Sequence, residues 1–268
     1  MVSFPPCKIN LGLHVIAKRP DGYHNLETCF YPVPWTDILE VIPASTFAFS
    51  SSGNEIPGAP DQNLCVKAYQ LLAREFSIDP VFIHLHKVIP MGAGLGGGSS
   101  DAAHVIRMLN EIFSLNLPQE KMIQLAASIG SDTAFFIQDR PMLGTGRGEV
   151  LTDIQVDLQG KFLVLVNPDI HVSTSEAYSN VRPVAPKVSL SEILARPLVE
   201  WKDLLKNDFE DSVFSKYPAI RELKDKLYSI GATYASMSGS GATVFGLYKN
   251  EFNVASEFPH TTVWASYL

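Results

Sequence analysis

The sequence predicts an α+β protein of two lobes, each a sheet covered by helices. Three observations carry this reading. Period-two alternation opens the chain, helical spacing takes over in three segments between residues 63 and 130, and beyond Gly148 a second set of strands and polar helices begins. Ile9, Leu11, Leu13 and Val15 alternate with Lys8, Asn10, Gly12 and His14, which reads as a strand with one buried and one polar face. Arg19-Pro20-Asp21-Gly22 turns the chain, and strands are expected over residues 27–33 and 37–42. Residues 45–60, rich in Ser, Gly and Pro, read as loop with room for one short strand. Asp61 or Asn63 caps a helix running to about Phe76, with Leu64, Ala68, Leu71 and Leu72 on one side. Residues 81–89 are strand-like and are closed by Pro90. After a glycine tract, Ala102, Val105, Ile106, Leu109, Ile112 and Phe113 recur at helical spacing. A further helix has Pro118 in its first turn, Met122, Leu125, Ala126 and Ile129 on its apolar side, and Gly130 as its stop. In the second half, residues 162–166 form a buried strand and polar helices occupy much of 189–228. Two short strands flank Ser238-Gly239-Ser240-Gly241, and a last one lies near 262–267. The change of texture places a boundary near 150–160, giving domains 1–155 and 156–268.

Composition narrows the function. The 268 residues carry a formal charge of −7, which argues against a nucleic-acid binder that relies on bulk positive charge. Apolar residues make up 46% and charged ones 18%, so disorder is excluded. Cys7, Cys29 and Cys65 are too scattered for a disulfide scaffold, and a reducing compartment is the simplest reading. No signal peptide and no apolar run long enough to span a membrane is visible, so a cytoplasmic protein without a membrane partner is expected.

Between residues 92 and 98 stand Gly92, Gly94, Gly96, Gly97 and Gly98, followed by Ser99-Ser100. The tract leaves a strand and opens a helix. Glycines let backbone approach a phosphate, and the free N–H groups of a helix start favour an anion. Ser99 and Ser100 can cap that helix, and a hydroxyl can reach a phosphate or its metal. Gly92, Gly94 and Gly97 satisfy the dinucleotide fingerprint, but the next element is a second helix at Pro118, where a βαβ unit requires a parallel strand with an acidic ribose ligand. A Walker A loop fails as well, for want of Gly-Lys-Ser/Thr. A third kind of glycine loop is required.

Taken alone, Lys8 and Asn10 are better explained by simple exposure on an edge strand than by a functional role. Asp132 follows Gly130-Ser131 and can be the N-cap of the next helix, or an ionised carboxylate that orients a hydroxyl and accepts its proton. Spacing does not choose between these.

Pro90-Met91-Gly92-Ala93-Gly94-Leu95-Gly96-Gly97-Gly98-Ser99-Ser100-Asp101-Ala102-Ala103 resembles the phosphate loop of the GHMP kinases. The remaining blocks follow in that family's order: Lys8-Ile9-Asn10-Leu11, Arg19-Pro20-Asp21-Gly22-Tyr23-His24, Gly130-Ser131-Asp132, Gly144-Thr145-Gly146-Arg147-Gly148-Glu149, residues 168–178, and Ser238-Gly239-Ser240-Gly241. The resemblance covers nearly the whole chain. Its opening block is most similar to the members acting on a cytidine diphosphate-linked methylerythritol in the non-mevalonate route to isoprenoids. Tyr178 stands where Phe is frequent, and Thr133-Ala134 where a hydrophobic residue and Pro are frequent.

The resemblance implies a two-lobed fold of mostly antiparallel sheets with helices, with the active site in the cleft between lobes. It implies transfer of the ATP γ-phosphoryl group to the 2-hydroxyl of the methylerythritol unit, with Mg²⁺ bridging the phosphates and no metal site made by the protein alone. By the same carry-over Asp132 is the base and Lys8 its charged partner. Pro90, Met91, Gly92, Gly94, Gly96, Gly97, Gly98, Ser99 and Ser100 belong to the ATP loop, and Asn63, Leu64, Lys67 and Lys87 lie near the adenosine pocket. Asn10 and Thr174 hold substrate, Tyr23 and Tyr178 stack the cytosine, His24 meets its edge, and Phe30 walls the pocket. Without the resemblance, core packing explains Tyr23 and Tyr178, and turn stabilisation explains His24. A monomer or weak homodimer is expected.

His84 and His86 share a strand face, but with no third ligand nearby they read as exposed-face residues. His14, His104, His171 and His260 stand alone and are expected to be structural. Ser173-Thr174-Ser175-Glu176 is a capping box by pattern, and residues 203–211 read as a solvated acidic helix face. Three rivals remain: a GHMP-type kinase of another hydroxyl substrate, a non-catalytic nucleotide-binding regulator, and an NAD-dependent oxidoreductase, which the missing parallel strand disfavours.

Overall fold

Alternation in the first strand is real, yet neither of its faces meets water. In a computed structural model describing residues 1–268, Cys7, Ile9, Leu11, Leu13 and Val15 are buried on one face, and Lys8 and Asn10 on the other are only 3% and 2% exposed. The exposed polar face expected for this strand is therefore corrected: it is covered.

In chain order the elements are β1 (Val2–Ser3), β2 (Pro6–Lys18), β3 (His24–Thr36), β4 (Ile38–Pro43), β5 (Ala48–Gly53), α1 (Leu64–Phe76), β6 (Val81–Lys87), α2 (Gly97–Ile112), α3 (Gln119–Ile129) and α4 (Thr133–Gln138). They continue with β7 (Met142–Gly146), β8 (Val150–Asp153), β9 (Phe162–Asn167), α5 (Thr174–Tyr178), α6 (Leu190–Leu194), α7 (Trp201–Leu204), α8 (Glu210–Lys216), α9 (Pro218–Ser229), β10 (Tyr234–Met237), β11 (Val244–Tyr248) and β12 (Thr262–Tyr267). The architecture is α+β. Pro32 and Pro34 lie inside β3 but beyond Phe30, the last residue it pairs with β7, which is where a strand tolerates residues lacking an N–H.

Two compact units are built from interleaved stretches: Met1–Lys8, Pro34–Met91 and Gly96–Arg140 in one; Ile9–Val33, Gly92–Leu95 and Pro141–Leu268 in the other. In the first unit a sheet runs β1-β4-β6-β5, antiparallel except for the β5–β6 pair. Val81, Ile83 and Leu85 of β6 are buried, while His84 and His86 on its other face are hydrogen-bonded to Ser50 and Ser52 of β5. Asn63 is the cap of α1, accepting from the Cys65 N–H at 2.8 Å. Its buried stripe is Cys65, Ala68, Tyr69 and Leu72, so Leu64 and Leu71 are only half-buried.

In the second unit a fully antiparallel sheet runs β10-β11-β9-β12. Its interior strand β9 is buried on both faces, which explains its unbroken apolar run. A further sheet, β2-β3-β7-β8, contains most of β2 and β3, whose residues up to Lys8 and from Pro34 onward are counted with the first unit. No helix is long and apolar enough to cross a membrane.

Candidate active site

Within the first unit, the glycine tract becomes helix α2 at Gly97. Ser99 and Ser100 do not cap it, as was expected; the N-cap is Gly96 in the left-handed region at φ +70, with no side-chain cap bond. The first N–H groups of α2 are thus left for an incoming acceptor. Gly96 is required for two reasons. Its φ is unfavourable to other residues, and a Cβ there would stand 3.1 Å from Lys8 Cε and from the Phe136 ring. The loop is consequently drawn against Lys8.

Lys8 Nζ stands 3.6 Å from Asp132 Oδ2. The Lys8 side chain is 4% exposed and that of Asp132 31%, so the ammonium is enclosed while the carboxylate reaches solvent. Burial pushes Lys8 below the ordinary lysine value, and the Asp132 carboxylate opposes that shift. Asp132 does occupy the N-cap position of α4, but its side chain makes no capping bond; Ser131 donates to its Oδ1 at 3.2 Å. The simple capping explanation of Asp132 therefore fails.

A cavity of about 170 Å³ opens in the same unit, lined among others by Phe49, Asn63, Leu64, Met91, Gly98 and Asp101. Four expected nucleotide residues, Asn63, Leu64, Met91 and Gly98, meet there. Lys67 is exposed on α1, and Pro90 is half-buried; neither lines the cavity. Lys87 does not line it either. Its ammonium is 1% exposed and pairs with Asp37 and, at 2.9 Å, with Asp101. Asp37 Oδ1 also accepts the Val88 and Ile89 N–H groups at 2.6 and 2.8 Å. Burial raises the Asp101 carboxyl well above the usual range, and the Asp37 carboxylate adds to the shift while Lys87 opposes it. A Cβ at Gly97 would lie 2.8 Å from Lys87 Nζ, so this ion cluster sits directly under the start of α2. Its sequence signal was parity: Lys87 continues the buried register of Val81, Ile83 and Leu85. Asp37 and Asp101 were not anticipated.

Within the second unit, Gly92–Leu95 packs on the Ser238–Gly241 turn. Ser238 donates to the Gly94 carbonyl at 2.9 Å, and a Cβ on Gly94 would lie 2.0 Å from the Ser238 carbonyl oxygen. Asn10 lies beside this turn. Its backbone N–H donates to Ser238 Oγ at 3.3 Å and its amide to Thr28 Oγ1 at 2.9 Å. Gly92 sits next to His171, whose Nδ1 would be 3.1 Å from a Cβ there.

The aromatic residues expected to meet cytosine all belong to the second unit. Tyr178 carries the His24 imidazole stacked on it, at 4.7 Å and 17°, and meets Phe209 edge-on. Tyr23 is 57% exposed, and the Arg147 guanidinium lies 5.0 Å from its ring centre. Phe30 is buried against Gly144, where a Cβ would stand 2.6 Å from its ring. Thr174 is exposed at the start of α5, whose capping box of Ser173 and Glu176 is formed as its pattern predicts. The acidic face expected over 203–211 needs correction. Glu210 is buried, accepting from Ser236 Oγ and the Met237 N–H, and Asp208 accepts the Val15 N–H at 2.8 Å.

The chain was compared with known proteins. A model described as the GHMP kinases N terminal domain matches residues 63–140, and one described as GHMP kinases C terminal matches 189–258. The chain is 53% identical to the 4-diphosphocytidyl-2-C-methyl-D-erythritol kinase of Cytophaga hutchinsonii, covering 94% of this chain and 93% of the relative. It is 45% identical to the kinase of the same name from Parabacteroides distasonis, over the whole of both chains. A crystal structure of 4-(cytidine 5'-diphospho)-2C-methyl-D-erythritol kinase superposes with a TM-score of 0.80 at 33% identity, covering 92% of this chain and 90% of the other. The glycine loop with its enclosed lysine and the full-length identity agree: this chain belongs to the 4-diphosphocytidyl-2-C-methyl-D-erythritol kinase family of the GHMP kinases.

Proposed function

We propose that this kinase transfers the γ-phosphoryl group of ATP to the 2-hydroxyl of 4-diphosphocytidyl-2-C-methyl-D-erythritol. The observation that carries the reading is the Lys8–Asp132 pair, 3.6 Å apart and held beside Gly96 at the opening of α2. Phosphoryl transfer asks for an aligned hydroxyl, a base for its proton, and positive charge around the phosphates. Asp132, partly open to solvent, accepts the hydroxyl proton through its carboxylate. Lys8 keeps that carboxylate turned towards the substrate, and its own charge offsets charge building on the transferred group. The uncapped N–H groups at the start of α2 bind phosphate oxygens, and the Ser100 hydroxyl in that first turn has no partner within the protein. Mg²⁺, where bound, neutralises phosphate charge; the glycine turn with the Ser99 and Ser100 hydroxyls is an oxygen-donor set that suits it. The cavity at Asn63, Leu64 and Met91 takes the adenosine.

For the acceptor, Asn10 binds the methylerythritol end, Thr174 stands near it, and His24 with Tyr178 provides the ring pair for cytosine, walled by Phe30. Tyr23 adds an exposed ring that a base can cover. Tyr23→Ala is expected to weaken cytidine-substrate binding by about 1–3 kcal/mol, the worth of one base stack. An unchanged Michaelis constant for that substrate, measured at saturating ATP, would remove Tyr23 from the site.

The decisive assay is ATP consumption with the cytidylyl methylerythritol substrate beside mevalonate, homoserine and galactose. Turnover is expected with the first alone. Faster turnover with any of the other three overturns the substrate assignment while leaving the kinase chemistry intact.

A further inference from the structure

A second polar cavity in the second unit has no part in the proposed reaction. It has a volume of about 590 Å³, within the range of small-molecule sites. Its walls come from two segments bonded to β2, and both are pinned by backbone bonds. On one wall the Val184 N–H donates to the Val15 carbonyl at 3.0 Å. On the other, the Leu13 N–H donates to the Lys206 carbonyl at 2.9 Å and the Asp208 N–H to the Leu13 carbonyl at 2.8 Å. His14 lies between these anchored residues and lines the cavity. Its side chain is 10% exposed, with Nδ1 facing Asp208 Oδ1 at 3.8 Å and Nε2 lacking any hydrogen-bond partner.

Arg182, Lys187 and Lys206 line the same space. In a chain whose net charge is −7 this is a local concentration of cations. None of the three makes an ion pair: the lysine and arginine bridges of the molecule all lie elsewhere. Two carboxylates, Asp208 and Asp211, face these three cations, and Asp208 also accepts the Val15 N–H, so the cations outnumber the carboxylates on the cavity. One guanidinium and two ammonium groups from two segments of the chain suit a ligand with several acceptor oxygens at one centre, which is the geometry of phosphate. The rim is apolar. Val181 and Pro186 line the cavity together with Val184, which is 68% exposed.

We propose that this cavity binds a phosphate-bearing small molecule, with the phosphate against Arg182, Lys187 and Lys206 and an aliphatic group against Val181, Val184 and Pro186. The ligand class is an alkyl phosphate or diphosphate ester, and the site is separate from the nucleotide and cytidine sites.

The experiment is isothermal titration of the full chain with inorganic pyrophosphate and with pentyl diphosphate. A non-hydrolysable ATP analogue and CMP are present at saturation, so that the proposed catalytic sites are filled. Saturable binding of both probes is expected, pentyl diphosphate binding more tightly because its chain covers Val184. The double variant Arg182→Ala, Lys206→Ala changes two exposed side chains and should keep the parent's thermal unfolding and ATP affinity. It should lose at least about tenfold in affinity for both probes, or ~1.4 kcal/mol. Absence of saturable binding to the parent protein under these conditions overturns the proposal, as does equal affinity in the double variant.

Discussion

Replacing Asp132 by Asn is expected to lower turnover by roughly 10²–10⁴-fold while nucleotide affinity stays unchanged, the range expected for losing a positioned base. Asn keeps the size and removes the charge. The hydroxyl would then lack the base proposed for it, and Lys8 loses the carboxylate 3.6 Å from its ammonium. Burial already pushes Lys8 below the ordinary lysine value, with Asp132 as the main opposing influence. Without that carboxylate the lysine gives up its proton at lower pH. The residual activity of the variant should therefore begin to fall at a lower pH than the parent's as the solution is made alkaline. Steady-state kinetics from neutral to alkaline pH, with ATP binding measured separately, tests both parts. Turnover within threefold of the parent would take Asp132 out of the mechanism.

Lys87→Met is expected to cost about 3–5 kcal/mol of folding stability, the usual penalty for removing one member of a buried ion cluster. Methionine fills nearly the same volume, so the loss is electrostatic. Asp37 and Asp101 would remain buried, 0% and 1% exposed, with no cation between them. The sign of the pH dependence follows from Asp101. Its folded value is raised by burial and by Asp37, so the folded protein holds this proton more tightly than the unfolded chain does. Stability contributed by such a group is lost as pH rises above the unfolded carboxylate value of about 4. Without the ammonium that opposes the shift, the loss grows. The deficit of Lys87→Met should be larger at pH 8 than at pH 5 in urea unfolding. A deficit below about 1 kcal/mol that is the same at both pH values would show that the cluster does not support the loop.

Much of the scaffold was legible because it rests on local rules. The strand over residues 262–267 and the pair flanking the Ser238–Gly241 turn follow from alternation and turn residues, and Asn63 caps its helix through a bond spanning two positions. The capping box at Ser173 and Glu176 is equally local. Errors came where a remote segment supplied the partner or where adjacent glycines moved the start of a helix. Glu210 was expected on a solvated face, but it is held by the Met237 N–H, 27 positions away. The Ser99 and Ser100 hydroxyls were expected at the helix start, but the glycines extend α2 back to Gly97 and place those serines inside its first turn. The stack of His24 on Tyr178 is a tertiary contact that no local rule reaches.

From its sequence alone this protein could be given its elements, its glycine loop and its family, because those depend on side-chain periodicity, backbone freedom and the order of short blocks. Periodicity also marked Lys8 and Lys87 as strand residues, but it carried no information about what would cover them. That was decided only by tertiary structure. Segments far apart in the chain bring Asp132 to Lys8, and Asp37 with Asp101 to Lys87, and burial gives each of those charges a strength that exposed side chains lack.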